Sequence, residues 1–116
     1  MNKKTLVIGA SENPQRYSYL AINSLLHHGH DVVAISSKPG TVNNIKFETE
    51  KKLFTDIDTV TLYINPMIQK TYYDYIISLH PKRIIFNPGA ENKEFIAIAK
   101  AEGIEPKEAC TLVLLS

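Results

Sequence analysis

Four short, largely apolar runs recur along the chain, and helical patterns lie between them. The runs are Thr5–Gly9, Asp31–Ile35, Thr59–Ile64 and Arg83–Phe86. A strand with one wet face alternates apolar and polar residues; a strand apolar throughout is buried on both faces. Alternation of such strands with helices predicts a parallel sheet covered on both sides. Right-handed crossovers then make the expected fold α/β, a doubly wound sheet in three α/β/α layers. Ile104–Pro106 adds a fifth, short strand, and strand order 3-2-1-4-5 is expected, the Rossmann-like arrangement.

Between these strands, residues Arg16–His28 read as a helix. Leu20, Ser24 and His28 share one row and Ala21 and Leu25 the next, with Gly29 as the stop. Pro66–Leu79 reads as a second helix, with Ile68, Tyr72, Tyr75, Ile76 and Leu79 on one apolar face. A third spans Glu91–Ala101 and ends before Gly103. The polar, lysine-rich stretch 37–58 is expected to hold an irregular strand near Ile45–Phe47 and a helical turn near Lys52–Phe54. Thr111–Leu115 is an apolar tail that must pack on the rest.

With 116 residues, residues 1–116 are expected to form one domain, burying about two-thirds of its unfolded surface. Lys3 and Lys4 precede an apolar run, but Gly9 ends it well short of the ~7–15 residues of a signal peptide core. No run approaches the ~18–20 residues of a membrane span. A cytoplasmic protein without membrane association is expected. Thirteen basic against twelve acidic residues leave a net charge of +1, which argues against nucleic acid as a partner, since phosphate-backbone affinity needs clustered cations. A single cysteine, Cys110, leaves no internal disulfide and is expected to behave as a small apolar residue. His27, His28 and His30 complement the dipole at a helix C-terminus and are not expected to hold a metal. No arrangement for nucleophilic or paired-carboxylate catalysis can be argued from spacing.

Three Asn-Pro pairs, Asn13-Pro14, Asn65-Pro66 and Asn87-Pro88, each follow a predicted strand and precede a helix. Asn caps helices and Pro suits their first turn, so each pair can be helix-start punctuation. All three also fall at the carboxyl edge of the sheet, where open α/β folds bind ligands. Helix N-termini there suit phosphate. The first loop, Gly9-Ala10-Ser11-Glu12-Asn13-Pro14-Gln15-Arg16-Tyr17, keeps only the first glycine of a G-x-G-x-x-G fingerprint. In its place stand a hydroxyl at Ser11 and a guanidinium at Arg16, both able to bind a phosphate oxygen. The acid that holds ribose hydroxyls in NAD enzymes is missing from the end of the second strand. Asp31 begins that strand and lies at the far edge. The carboxyl end reads Ser36-Ser37-Lys38, which favours an additional phosphate, as on NADP or on the 3′ position of coenzyme A. Glu91 is the acid expected in the cleft.

Val7-Ile8-Gly9-Ala10-Ser11, Asn13-Pro14, Arg16-Tyr17-Ser18, Gly29-His30, the stretch from Ile84 through Asn87-Pro88-Gly89-Ala90-Glu91-Asn92, and Cys110-Thr111-Leu112-Val113 together resemble the small stand-alone CoA-binding-domain proteins. These are similar to the N-terminal domain of the succinyl-CoA synthetase alpha subunit. The resemblance implies a site for coenzyme A or an acyl-CoA along the strand ends. Its contacts are Gly9, Ala10, Ser11, Pro14, Arg16 and Tyr17 in the first loop, and Ser36 and Lys38 after the second strand. Asn65 and Pro66 follow after the third, and Asn87, Pro88, Gly89, Ala90 and Glu91 after the fourth. The synthetase's second domain and phosphohistidine loop have no counterpart in the matched stretch, so ligase chemistry is not expected. The leading expectation is a CoA-binding module without catalytic machinery, its partner a small nucleotide cofactor. An NAD(P)-type nucleotide-binding protein or redox sensor, with NADP as cofactor, and a regulatory interaction domain with a vestigial cleft are the alternatives.

Overall fold

A computed structural model describes residues 2–114. The strands are β1 (Thr5–Ile8), β2 (Val32–Ile35), β3 (Thr41–Val42), β4 (Ile45–Glu48), β5 (Thr59–Leu62), β6 (Arg83–Phe86) and β7 (Glu105–Glu108). They form one seven-stranded sheet in the order β3-β4-β2-β1-β5-β6-β7. Every neighbouring pair is parallel except β3 with β4, which form a hairpin. Helices α1 (Tyr17–His27), α2 (Pro66–Gln69), α3 (Tyr73–Ser78), α4 (Lys93–Ala101) and α5 (Thr111–Leu114) flank it, and a 3-10 turn at Lys70–Tyr72 joins α2 to α3.

Strand pleating divides the core. Leu6, Ile8, Val60, Leu62, Ile84 and Phe86 pack with Tyr75, Ile76, Phe95 and Ala99 of α3 and α4. On the other face Val7, Ala34 and Ile85 pack with Ile22 and Leu25 of α1. These are the layers of a Rossmann-like α/β fold. Among the described residues no helix is long and apolar enough to cross a membrane.

Several details differ from the sequence-based expectation. The sheet has seven strands rather than about five. Residues 45–48 form a full strand beside β2, so that strand takes third place in the 3-2-1-4-5 order. Thr59–Leu62, ranked third from the sequence, instead pairs with β1. Alternation in Ile45-Lys46-Phe47-Glu48, where only Phe47 is buried, kept the irregular strand expected near Ile45–Phe47 out of the predicted order, which counted only strands apolar throughout. No helical turn forms at Lys52–Phe54. The helix expected over Pro66–Leu79 is interrupted at the 3-10 turn, where Thr71 Oγ1 donates back to the Ile68 carbonyl at 2.7 Å. Such back-bonding competes with the helical ladder, and the change of phase leaves Ile68 exposed while Tyr75 and Ile76 are buried. In α1 the Ala21 and Leu25 row faces the sheet, and Leu20 points outward.

Candidate functional site

The loop after β1 is built by backbone constraints. Gly9 has φ +95°, and a Cβ there would stand 2.8 Å from the Tyr63 carbonyl oxygen. Only glycine tolerates both the torsion and the approach. The amides of Gly9 and Ala10 both donate to the Ile35 carbonyl at 3.0 Å, anchoring the loop to the end of β2. Beyond them, Ser11 Oγ accepts from the Asn13 amide at 3.0 Å and Asn13 Oδ1 from the Gln15 amide at 3.0 Å. The Ser11 hydroxyl proton is therefore left to donate elsewhere. Arg16 takes the N-cap position of α1 in an extended conformation, and no side chain caps the helix. The Tyr19 amide turns back to the Arg16 carbonyl at 3.1 Å, which leaves the Tyr17 and Ser18 amides as orphans of the kind that attract anions.

The end of β2 forms the opposite wall. Ser36 is buried, its amide donating to the Glu48 carbonyl at 2.9 Å, and its Oγ accepts a long 3.4 Å contact from the Lys38 amide. Between the two walls lies a cleft of about 620 Å³. Of the sequence-predicted residues, Gly9, Ala10, Ser11, Arg16, Tyr17, Ser36 and Lys38 line it together. Arg16 and Lys38 are both exposed.

The remaining predicted residues stand outside this lining, and most have structural partners. Pro14 is exposed in the first loop. Asn65 Oδ1 caps α2 by accepting from the Ile68 amide at 3.0 Å, with Pro66 opening the helix. Asn87 is buried, and its side chain is taken up by Thr61, Leu62 and Thr111. Ala90 is buried, its carbonyl accepting from Gln69 Nε2 at 2.8 Å. Glu91 Oε1 accepts from the Gly89 amide at 2.9 Å across exposed Pro88 and Gly89. Of the three Asn-Pro pairs only Asn65-Pro66 starts a helix as an N-cap. Asn13 closes a turn instead, and Asn92 caps α4 in place of Asn87.

The lining also holds residues that the sequence reading did not assign as contacts, among them Glu12, Phe47 and Tyr63. Glu12 stood in the loop under discussion, and Phe47 lay in the irregular strand expected near Ile45–Phe47. Tyr63 follows β5, one residue past the last paired position. Burial pushes its phenol above the ordinary tyrosine range. Its hydroxyl, near Thr111 and Thr61, has no hydrogen bond of good geometry among the described residues. Cys110 is half-buried and free. Among the described residues no three His, Cys, Asp or Glu side chains gather as metal ligands do.

The family model of the CoA binding domain matches residues 3–116. The chain belongs to this family. An uncharacterized protein of known crystal structure is similar to this CoA-binding-domain chain at 48% identity, over 99% of this chain and 95% of that one, with a TM-score of 0.97. A hypothetical protein from Pyrococcus horikoshii OT3 matches at 26% identity over 95% of this chain and 79% of its own, with a TM-score of 0.85. The acetyl-coenzyme A synthetase 1 of Ca. Korarchaeum cryptofilum shares the fold at 16% identity, over 92% of this chain and 25% of that one, with a TM-score of 0.76. Among curated proteins none matches.

Proposed function

We propose that this chain binds coenzyme A or an acyl-CoA in the cleft between the first loop and the end of β2, and has no chemistry of its own. The pyrophosphate takes the uncapped start of α1, with Ser11 and Arg16 donating to it, and Lys38 approaches the 3′-phosphate. The pantetheine arm runs along the carboxyl edge past Asn65-Pro66 and the loop from Asn87 to Glu91. The observation that carries this reading is a single cleft holding an uncapped helix start and two exposed cations in a chain of the CoA-binding-domain family. One helix N-terminus contributes about 0.3–2 kcal/mol with an anion. Micromolar affinity needs about 8 kcal/mol, so the loops must act together.

A melting panel with CoA, acetyl-CoA, NAD and NADP tests it. Ligand at about 100 times its dissociation constant adds roughly 2.7 kcal/mol, which raises the midpoint of a domain this size by about 10 °C. Shifts with CoA and acetyl-CoA are expected. A shift with NADP alone supports the NADP reading, and no shift with any of them supports a vestigial cleft. Arg16→Ala weakens CoA binding by about tenfold, the scale of one hydrogen bond to a charged group. Unchanged affinity in titration calorimetry removes Arg16 from the site.

A further inference from the structure

Glu12 lines the cleft that the cations share. Its Oε2 accepts a hydrogen bond from the Thr41 amide at 2.9 Å. Its stem lies over Gly40, where an added Cβ would stand 2.8 Å from the carboxyl carbon. A carboxylate on an exposed loop ordinarily swings freely; here the backbone of a second loop holds it. Gly40 and Thr41 follow Lys38 and Pro39 directly, so the carboxylate is tied to the same wall that carries the Lys38 ammonium. The bond to Thr41 engages only one carboxylate oxygen.

A held carboxylate accepts hydrogen bonds and donates none. It attracts a hydroxyl and repels a phosphate set beside it. Dinucleotide folds draw the acid for the ribose 2′-hydroxyl from the end of the second strand. That place here reads Ser36-Ser37-Lys38, and an acid arrives at the same wall from the first loop. We propose that Glu12 determines which ribose phosphate isomer the cleft accepts. Its carboxylate accepts from a free 2′-hydroxyl and excludes a 2′-phosphate, while Lys38 takes a phosphate at the 3′ position. This deepens the CoA reading and rests on it, because CoA carries its ribose phosphate at 3′ and NADP carries it at 2′.

Two probes of equal charge isolate the effect: adenosine 3′,5′-bisphosphate and adenosine 2′,5′-bisphosphate, titrated calorimetrically into the full chain beside CoA. The wild-type chain is expected to prefer the 3′,5′ isomer by about tenfold, the scale of one hydrogen bond to a charged group. Glu12→Gln keeps an oxygen for the Thr41 amide and removes the charge. Its preference is expected to fall toward unity, chiefly through tighter binding of the 2′,5′ isomer. Equal affinities in the wild-type chain overturn the proposal. So does a preference that survives in Glu12→Gln, and so does an equal loss for both isomers, which marks Glu12 as merely structural. A wild-type chain that binds the 3′,5′ isomer selectively but not CoA overturns the cofactor reading alone. One that binds CoA without isomer preference overturns only the role of Glu12.

Discussion

The Asn87 side chain makes four hydrogen bonds within the protein. Its Nδ2 donates to Thr61 Oγ1 at 2.6 Å and to the Leu62 carbonyl at 2.9 Å, and its Oδ1 accepts from the Thr111 amide at 2.9 Å and Thr111 Oγ1 at 3.0 Å. One buried amide thus clamps the start of α5 to the carboxyl ends of β5 and β6. Asn87→Ala orphans the Leu62 carbonyl and the Thr111 amide. At about 1–3 kcal/mol for each unsatisfied buried group, the expected loss is about 2–6 kcal/mol. Urea unfolding checks this: the midpoint falls while the slope stays constant. An unchanged midpoint means that solvent reaches these groups. Residue type alone could not separate the three Asn-Pro pairs, because the same amide oxygen caps a helix at Asn65, closes a turn at Asn13 and joins a buried network at Asn87. Their partners come from elements distant in sequence, and spacing carries no record of them.

Between elements, α2, α3 and α4 are tied by side chains at the carboxyl edge. Gln69 is fully buried, and its Nε2 donates to the carbonyls of Ile64 and Ala90, both at 2.8 Å. Asn92 caps α4 through Oδ1 and spends Nδ2 on Gln69 and the Tyr73 hydroxyl. On α3, Tyr75 is buried and donates its hydroxyl to the Lys52 carbonyl, pinning the segment before β5. Burial, with a smaller contribution from neighbouring Tyr72, pushes the Tyr75 phenol up from 10.0 to about 12. The folded state therefore holds this proton more tightly than the unfolded chain does. The associated stability is complete below pH 10.0 and is lost as pH rises toward about 12. Tyr63 and Tyr73, also raised by burial, act in the same direction. Urea midpoints measured across this alkaline range are expected to fall, and to fall less steeply in Tyr75→Phe. Parallel curves for the two proteins count against the assignment. Strands and helices themselves were legible wherever apolar runs or helical periodicity dominated, as in β1, β6 and α4. The order of strands was not, because it turned on whether the irregular strand expected near Ile45–Phe47 joined the sheet, and a short strand with polar alternation gives little sign of where it pairs.

For the molecule as a whole, topology gathers the loops after β1, β2, β5 and β6 on one edge; the strand order reverses at β1, with β2 on one side and β5 on the other, and the cleft lies between the first two loops. The first half of the candidate site was readable because glycine torsion and loop cations are local properties. Glu12 and Tyr63 were not, since their place in the cleft depends on contacts between loops far apart in sequence. With a net charge of only +1, the protein offers a polyphosphate no long-range field worth naming; attraction must come from Arg16, Lys38 and the orphan amides at short range. Exposed charges lose their mutual attraction as the screening length falls from about 10 Å at 0.1 M salt to about 3 Å at 1 M. Over that range CoA affinity is expected to drop by roughly tenfold, an order-of-magnitude figure for a few exposed contacts. Lys38→Gln should flatten the dependence, and dephospho-CoA, lacking the 3′-phosphate, should show the same shallow slope with either protein. If the two ligands have equal slopes on the wild-type chain, Lys38 does not hold the 3′-phosphate, and the binding energy must then lie in amides that salt screens little.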